Sequence, residues 1–85
     1  MSQSAAFEAA VAASKTLSQK PANDILLKLY SLYKQATEGD APADGPSNPF
    51  DFVAKAKHDA WTELKGKPAA AAEEEYINLV NSLKG

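Results

Sequence analysis

The sequence predicts an all-α protein of four helices. Alanine, leucine, lysine and glutamate dominate and β-branched residues are few. Apolar residues recur at helical spacings, and Pro21, Gly66, Pro68 and a Gly/Pro-rich stretch fall between the periodic runs. With 85 residues, the chain is one domain's worth of sequence, just beyond the size at which a bare hydrophobic core is hard to assemble. Residues 1–85 are therefore expected to form a single domain without strands.

The first helix is expected from about Ser4 to Leu17. Phe7, Ala10, Val11 and Ser14 share one narrow face of small side chains, which allows close packing against a neighbour. "SQKPAN" ends it, because Pro21 cannot continue a helix, and Asn23 is a natural cap for the next. The second helix, from about Asp24 to Thr37, carries two stripes. Ile25, Leu29, Leu32 and Ala36 make a complete core face, while Leu26, Leu27, Tyr30, Tyr33 and Lys34 form an adjoining one. Since the first stripe already serves a core, the second is surplus to folding.

Glu38 to Phe50, "EGDAPADGPSNPF", reads as a connection rather than a helix, and its length permits two consecutive helices to run parallel. The third helix is expected from Asp51 to Leu64, with Gly66 as its C′ residue. Val53, Lys57, Ala60 and Leu64 fall on one of its faces. Lys67-Pro68 opens the fourth helix with proline at its first position, and Ala72, Tyr76, Leu79, Val80 and Leu83 form its buried face. The run "AAAAEEE" places acids near the positive end of that helix's dipole.

Composition narrows the function classes. Without cysteine there is no disulfide, thiolate metal site or thiol nucleophile, which suits a reducing compartment. The N-terminal residues lack a basic start followed by an apolar run, and no stretch is apolar for long enough to cross a bilayer; a cytoplasmic location without stable membrane insertion is expected. A net charge of −2 offers no broad attraction for nucleic acid, so an anionic ligand needs a local cluster of cations.

Lys34 and Lys57 are candidates for that cluster. Each sits beside an apolar or aromatic stripe, where its stem either snorkels to water or carries the ammonium into an anion site. Tyr30 and Tyr33 are either flanks of the core or a platform for a flat ring, with hydroxyls able to bind phosphate oxygens. His58 is the only histidine and reads as a surface residue without a positioned catalytic partner. Asp51, Asp59, Glu63 and Glu73–Glu75 read as solvated faces. No glycine-rich phosphate loop is present, so phosphate would be held by side chains. No activated Ser, Cys or His grouping can be assembled, and no enzyme activity is expected.

"LYSLYKQATEGD", then "KAKHDAWTELKG", then "YINLV", in this order and spacing, resemble the acyl-CoA-binding protein family from Phe7 to about Leu83. The resemblance implies a four-helix bundle, up-down-down-up, with a long crossover between the second and third helices. It implies reversible binding, buffering and intracellular transport of medium- to long-chain fatty acyl-CoA, without cofactor or metal, with delivery to acyl-CoA-using enzymes; a monomer is expected because no large apolar stripe remains once the four helices and the ligand bowl are satisfied. Matched motif by motif, Tyr30, Tyr33, Lys34, Lys57 and Tyr76 fall at CoA-contacting positions. Phe7 and Ala10 fall at the adenine end with Lys15 nearby, and Leu26 and Leu27 in the bowl that shelters the acyl chain. Lys34 and Lys57 would neutralise phosphates, Tyr33 would pack on adenine, and the Tyr30 and Tyr76 hydroxyls would bind polar parts of the ligand. Some members of the family also act as signalling ligands. The chain departs from the pattern in carrying His58 where the family usually has tryptophan, and in a crossover, "APADGPSNPFD", that lacks the usual Pro-Gly pair.

Overall fold

The computed structural model describes residues 4–43 and 50–84. Its helices are α1 (Ala5–Ser14), α2 (Asn23–Glu38), α3 (Phe52–Thr62) and α4 (Ala69–Leu83), with no strand among the described residues. The part of the crossover from 44 to 49 lies outside them, and with it the expected effect of the altered loop sequence.

Local chemistry sets the helix ends. Ser4 caps α1, its Oγ accepting from the Phe7 N–H at 3.1 Å and donating to Glu73 Oε1 at 3.0 Å, so one hydroxyl both starts α1 and ties it to α4. α1 stops at Ser14 rather than Leu17. There the chain turns to shorter-range bonds, from Lys15 N to Ala12 O and Thr16 N to Ala13 O, while the Ser14 and Thr16 hydroxyls also claim carbonyls three residues back. Asn23 is not a cap. It is already helical, the capping position belongs to Ala22, and no side chain bonds there. α2 reaches Glu38 and ends where Gly39 adopts φ +82°, a conformation that side-chain-bearing residues avoid.

Asp51 caps α3 by accepting from the Ala54 N–H at 3.0 Å. After Thr62 the chain tightens through Leu64 N to Trp61 O at 2.9 Å and Lys65 N to Thr62 O at 3.0 Å, and Gly66 (φ +89°) closes this turn instead of following the helix directly. Pro68 stands one place before α4, at its cap, with its carbonyl accepting from the Ala72 N–H.

Contacts between ends give the topology. Asn23, Leu26 and Leu27 at the start of α2 share a groove with Phe52, Val53 and Ala56 at the start of α3, and Gly39 and Asp40 after α2 bond to Trp61 and Gly66. α2 and α3 therefore run parallel. Gln35, late in α2, donates to the carbonyl of Lys67 just before α4, making that pair antiparallel, whereas the starts of α1 and α4 meet through Ser4 and Glu73. The result is the up-down-down-up bundle. α1 packs on α4, α4 on α2, and α2 on α3.

Phe7, Ala10, Leu29, Leu32, Ala36, Ala72, Tyr76 and Val80 form the core, joining α1, α2 and α4. Ile25, Leu79 and Leu83 are half-buried against it, so Ile25 contributes less than its place in the stripe suggests. The expected α3 face holds only toward its end, where Ala60 is half-buried and Leu64 packs against the core, and fails at its start. Val53 is 66% exposed and Lys57 is exposed, while Trp61 is the buried α3 side chain. α3 turns Trp61 inward because its indole N–H donates to Gly39 O at 2.8 Å, satisfying a carbonyl just past the end of α2.

The crossover begins under restraint. Asp40 Oδ1 accepts from Gln35 Nε2 and from the Gly66 N–H, both at 2.9 Å. These two donors, the Gly66 amide first, hold the Asp40 carboxyl below its ordinary pKa. His58 is half-buried rather than a bare surface residue, with Nε2 at 2.9 Å from Pro42 O and its ring edge-on to Trp61.

Candidate ligand site

The second stripe of α2 becomes the shared wall of two open grooves. One, of about 430 Å³, lies between α2 and α3 and is lined by Asn23, Leu26, Leu27, Phe52, Val53, Ala56 and Lys57. Its walls are mainly aliphatic and aromatic, and its volume falls in the ~300–1,000 Å³ range of small-molecule sites. The other, of about 340 Å³, lies between α1, α2 and α4, where Lys15, Tyr30, Tyr33 and Tyr76 meet Val11, Ser14 and Leu29. Tyr30 and Lys57 join them. Lys57 lines the first groove while its Nζ stands 5.3 Å from the centroid of the Tyr30 ring, which lines the second.

The aromatic side chains are held from beneath. Phe7, fully buried, lies 6.0 Å from Tyr33 with the rings 22° from parallel, and meets Tyr76 edge-on at 5.2 Å. Tyr33 is backed on that side and remains 38% exposed on the other. Tyr76 is buried and donates its hydroxyl to Ser14 Oγ at 3.1 Å, which fixes the ring and commits the phenol.

Lys34 extends the cationic edge. Its ammonium stands 5.2 Å from the Trp61 ring centroid and 6.0 Å from that of Tyr30, and it pairs with the Glu38 carboxylate one turn on. The hydrogen bond to Glu38 is the main reason its pKa lies above the ordinary value, against a smaller opposing effect of burial. Lys15 thus lines the aromatic groove, while Lys34 and Lys57 stand against the ring of Tyr30, where that groove approaches the apolar one. Such a surface can engage several anionic groups, a flat ring and an aliphatic tail at once.

Most of the residues singled out by sequence meet here. Lys15, Tyr30, Tyr33 and Tyr76 line the aromatic groove, Leu26, Leu27 and Lys57 line the apolar one, and Lys34 flanks Tyr30. Phe7 supports Tyr33 from the core without reaching either groove. Ala10 is buried and borders the far side of α1, in a separate depression with Ile77 and Asn81. Sequence reasoning missed Asn23, Phe52, Val53 and Ala56 as groove walls, and Glu38 as the partner of Lys34. Leu26 and Leu27, surplus to the core, signalled that an apolar partner wall must exist, but not which face of α3 supplies it.

A profile of the Acyl CoA binding protein family matches residues 4–80. The chain belongs to this family. It is 48% identical over 77 residues to Acyl-CoA-binding protein homolog 1 of Caenorhabditis elegans, covering 91% of this chain and 88% of that protein. It is also 48% identical over 77 residues to Enoyl-CoA delta isomerase 2 of Rattus norvegicus, covering 91% of this chain but 19% of that protein. The chain therefore spans about a fifth of this isomerase and of its human counterpart. Among solved structures, Oryza sativa Acyl-CoA-Binding Protein 2 shares the fold with a TM-score of 0.85 at 37% identity, over 92% of this chain and 84% of that one.

Proposed function

We propose that the protein binds medium- to long-chain fatty acyl-CoA esters reversibly, buffering and carrying them without chemistry. The observation that carries this reading is the junction of an apolar groove with a lysine-edged aromatic groove at Tyr30 and Lys57. Acyl-CoA is a matching shape: polyanion and purine at one end, hydrocarbon at the other. Family membership and the names of the C. elegans and rice relatives support it.

In this reading Lys15, Lys34 and Lys57 engage phosphates, where charge-assisted hydrogen bonds outweigh neutral ones. Tyr33, backed by Phe7, offers its open face to adenine. The Tyr30 and Tyr76 hydroxyls lie beside polar parts of the ligand, and Leu26 and Leu27 with Phe52 and Val53 shelter the tail. Ala10 acts through packing. No residue is assigned a catalytic role, and His58 serves the crossover through Pro42. Residues 1–85 act as one binding unit, as a monomer in the cytoplasm, handing ligand to acyl-CoA-using enzymes. The absence of cysteine supports a reducing compartment, and among the described residues no helix is long and apolar enough to cross a membrane.

Isothermal titration with free CoA and hexadecanoyl-CoA tests the reading, using wild type and a Lys34→Ala, Lys57→Ala double variant. We expect one-to-one binding, tighter for the ester, and a loss of at least ~10-fold in the variant, about one charge-assisted hydrogen bond or more. Absence of saturable binding of either ligand to wild type would overturn it. Intact thioester after prolonged incubation is expected of a carrier; release of free CoA would contradict it.

A further inference from the structure

Glu38 stands in a place where the helix gains little from it. It is the last residue of α2, where the helix dipole disfavours an acid, and no basic residue in that last turn offsets it. Its partner Lys34 lies four residues before it, the less favourable of the two orders for such a pair. The contact also bears on the lysine best placed between Tyr30 and Trp61: the Lys34 side chain is only 25% exposed, whereas that of Glu38 is 52% exposed. A side chain that free can swing away, but while it is paired the ammonium offers an incoming anion a neutralised site.

We propose that Glu38 is a resident counter-anion: it holds Lys34 in the empty protein and must release it to an arriving phosphate, and so sets the strength and salt dependence of ligand capture. The inference rests on the reading of Lys34 as a phosphate-binding residue. Two contributions act in the same direction. Breaking the pair costs what an exposed i, i+4 ion pair supplies, which is small. The displaced carboxylate then remains within a few ångströms of the bound phosphate and repels it, an effect comparable to or larger than the pair itself at partly exposed sites. Together these predict that removing the charge tightens binding by several-fold. A helix-stabilising role would instead leave affinity unchanged and lower stability.

The test is Glu38→Gln, titrated with CoA, with dephospho-CoA and with acyl-pantetheine, a phosphate-free ester, at low and high ionic strength. Because Glu38 is exposed, the variant is expected to fold, and urea unfolding checks this. We expect CoA affinity to rise ~3–10-fold at low salt, as partly screened charges a few ångströms apart imply. The gain should shrink in high salt and be absent for acyl-pantetheine. In a Lys34→Ala background Glu38→Gln should give a smaller gain, since only direct repulsion remains. Unchanged or weaker CoA binding by Glu38→Gln, with wild type still binding CoA, overturns the proposal while leaving the binding function intact. A similar gain for acyl-pantetheine also overturns it, because the effect would not act through phosphate. Failure of wild type to bind any CoA compound instead removes the reading on which the proposal rests.

Discussion

Replacing Trp61 with phenylalanine should destabilise the protein well beyond what a conservative aromatic exchange implies. The indole N–H donates to Gly39 O at 2.8 Å in a part-buried contact, and Trp61 is only 7% exposed, so the substitution leaves that half-buried carbonyl without its side-chain donor. A stranded acceptor of this kind costs ~1–3 kcal/mol. The smaller ring removes a further ~1 kcal/mol of buried apolar contact. The sum, about 2–4 kcal/mol, is a large share of the ~5–15 kcal/mol available to a domain. For a chain of this size it implies a fall in Tm of roughly 8–30 °C. Urea unfolding followed by far-UV circular dichroism is the assay, since the substitution removes the only tryptophan fluorophore. The midpoint should fall with the m-value unchanged. A loss below ~0.5 kcal/mol, the range of ordinary surface substitutions, would refute the argument that Trp61 anchors the crossover to α3.

Three other perturbations probe separate parts of the account. Leu32→Ala should cost ~2–5 kcal/mol in the same unfolding assay, because Leu32 is 1% exposed at the centre of the core. Val53→Asn should leave stability within ~0.5 kcal/mol, since the side chain is largely exposed. It should nonetheless weaken hexadecanoyl-CoA by ~4–15-fold, the equivalent of one or two buried methylenes, with free CoA almost unaffected in parallel titrations. Asp40 predicts an acid limb. Its folded-state pKa lies below the ordinary 3.8, so its contribution is present above that value and is lost as pH falls through the lowered one. Urea midpoints between neutral and strongly acid pH should therefore fall more steeply for wild type than for Asp40→Asn, which keeps an acceptor oxygen but has no carboxyl to titrate.

The bundle was legible because helical periodicity survives in a single chain: Phe7, Leu29, Leu32, Ala36, Ala72, Tyr76 and Val80 are buried where their stripes place them. The surplus stripe on α2 was equally readable, since Leu29 and Leu32 left Leu26, Leu27, Tyr30 and Tyr33 without a role in the core. α3 was not. Its spacing places Val53, Ala60 and Leu64 on one face, but only Ala60 and Leu64 turn toward the core, beside a Trp61 whose long-range bond to Gly39 no local pattern encodes. The same holds for His58, whose partner Pro42 lies 16 residues away in the chain. Asn23 misled because a good capping residue does not cap when the preceding Pro21-Ala22 segment already delivers an extended residue to the cap position. Ala10 followed the Phe7 stripe into the core.

Dependence of affinity on tail length tests the central claim most directly, because it requires both grooves to act on one ligand. Isothermal titration of free CoA against octanoyl-, dodecanoyl- and hexadecanoyl-CoA should show dissociation constants falling by up to ~4-fold per methylene, the equivalent of ~0.8 kcal/mol, until the apolar groove is filled, and then levelling. Equal affinity for all four ligands would contradict the account: the groove between α2 and α3 would then not hold the tail.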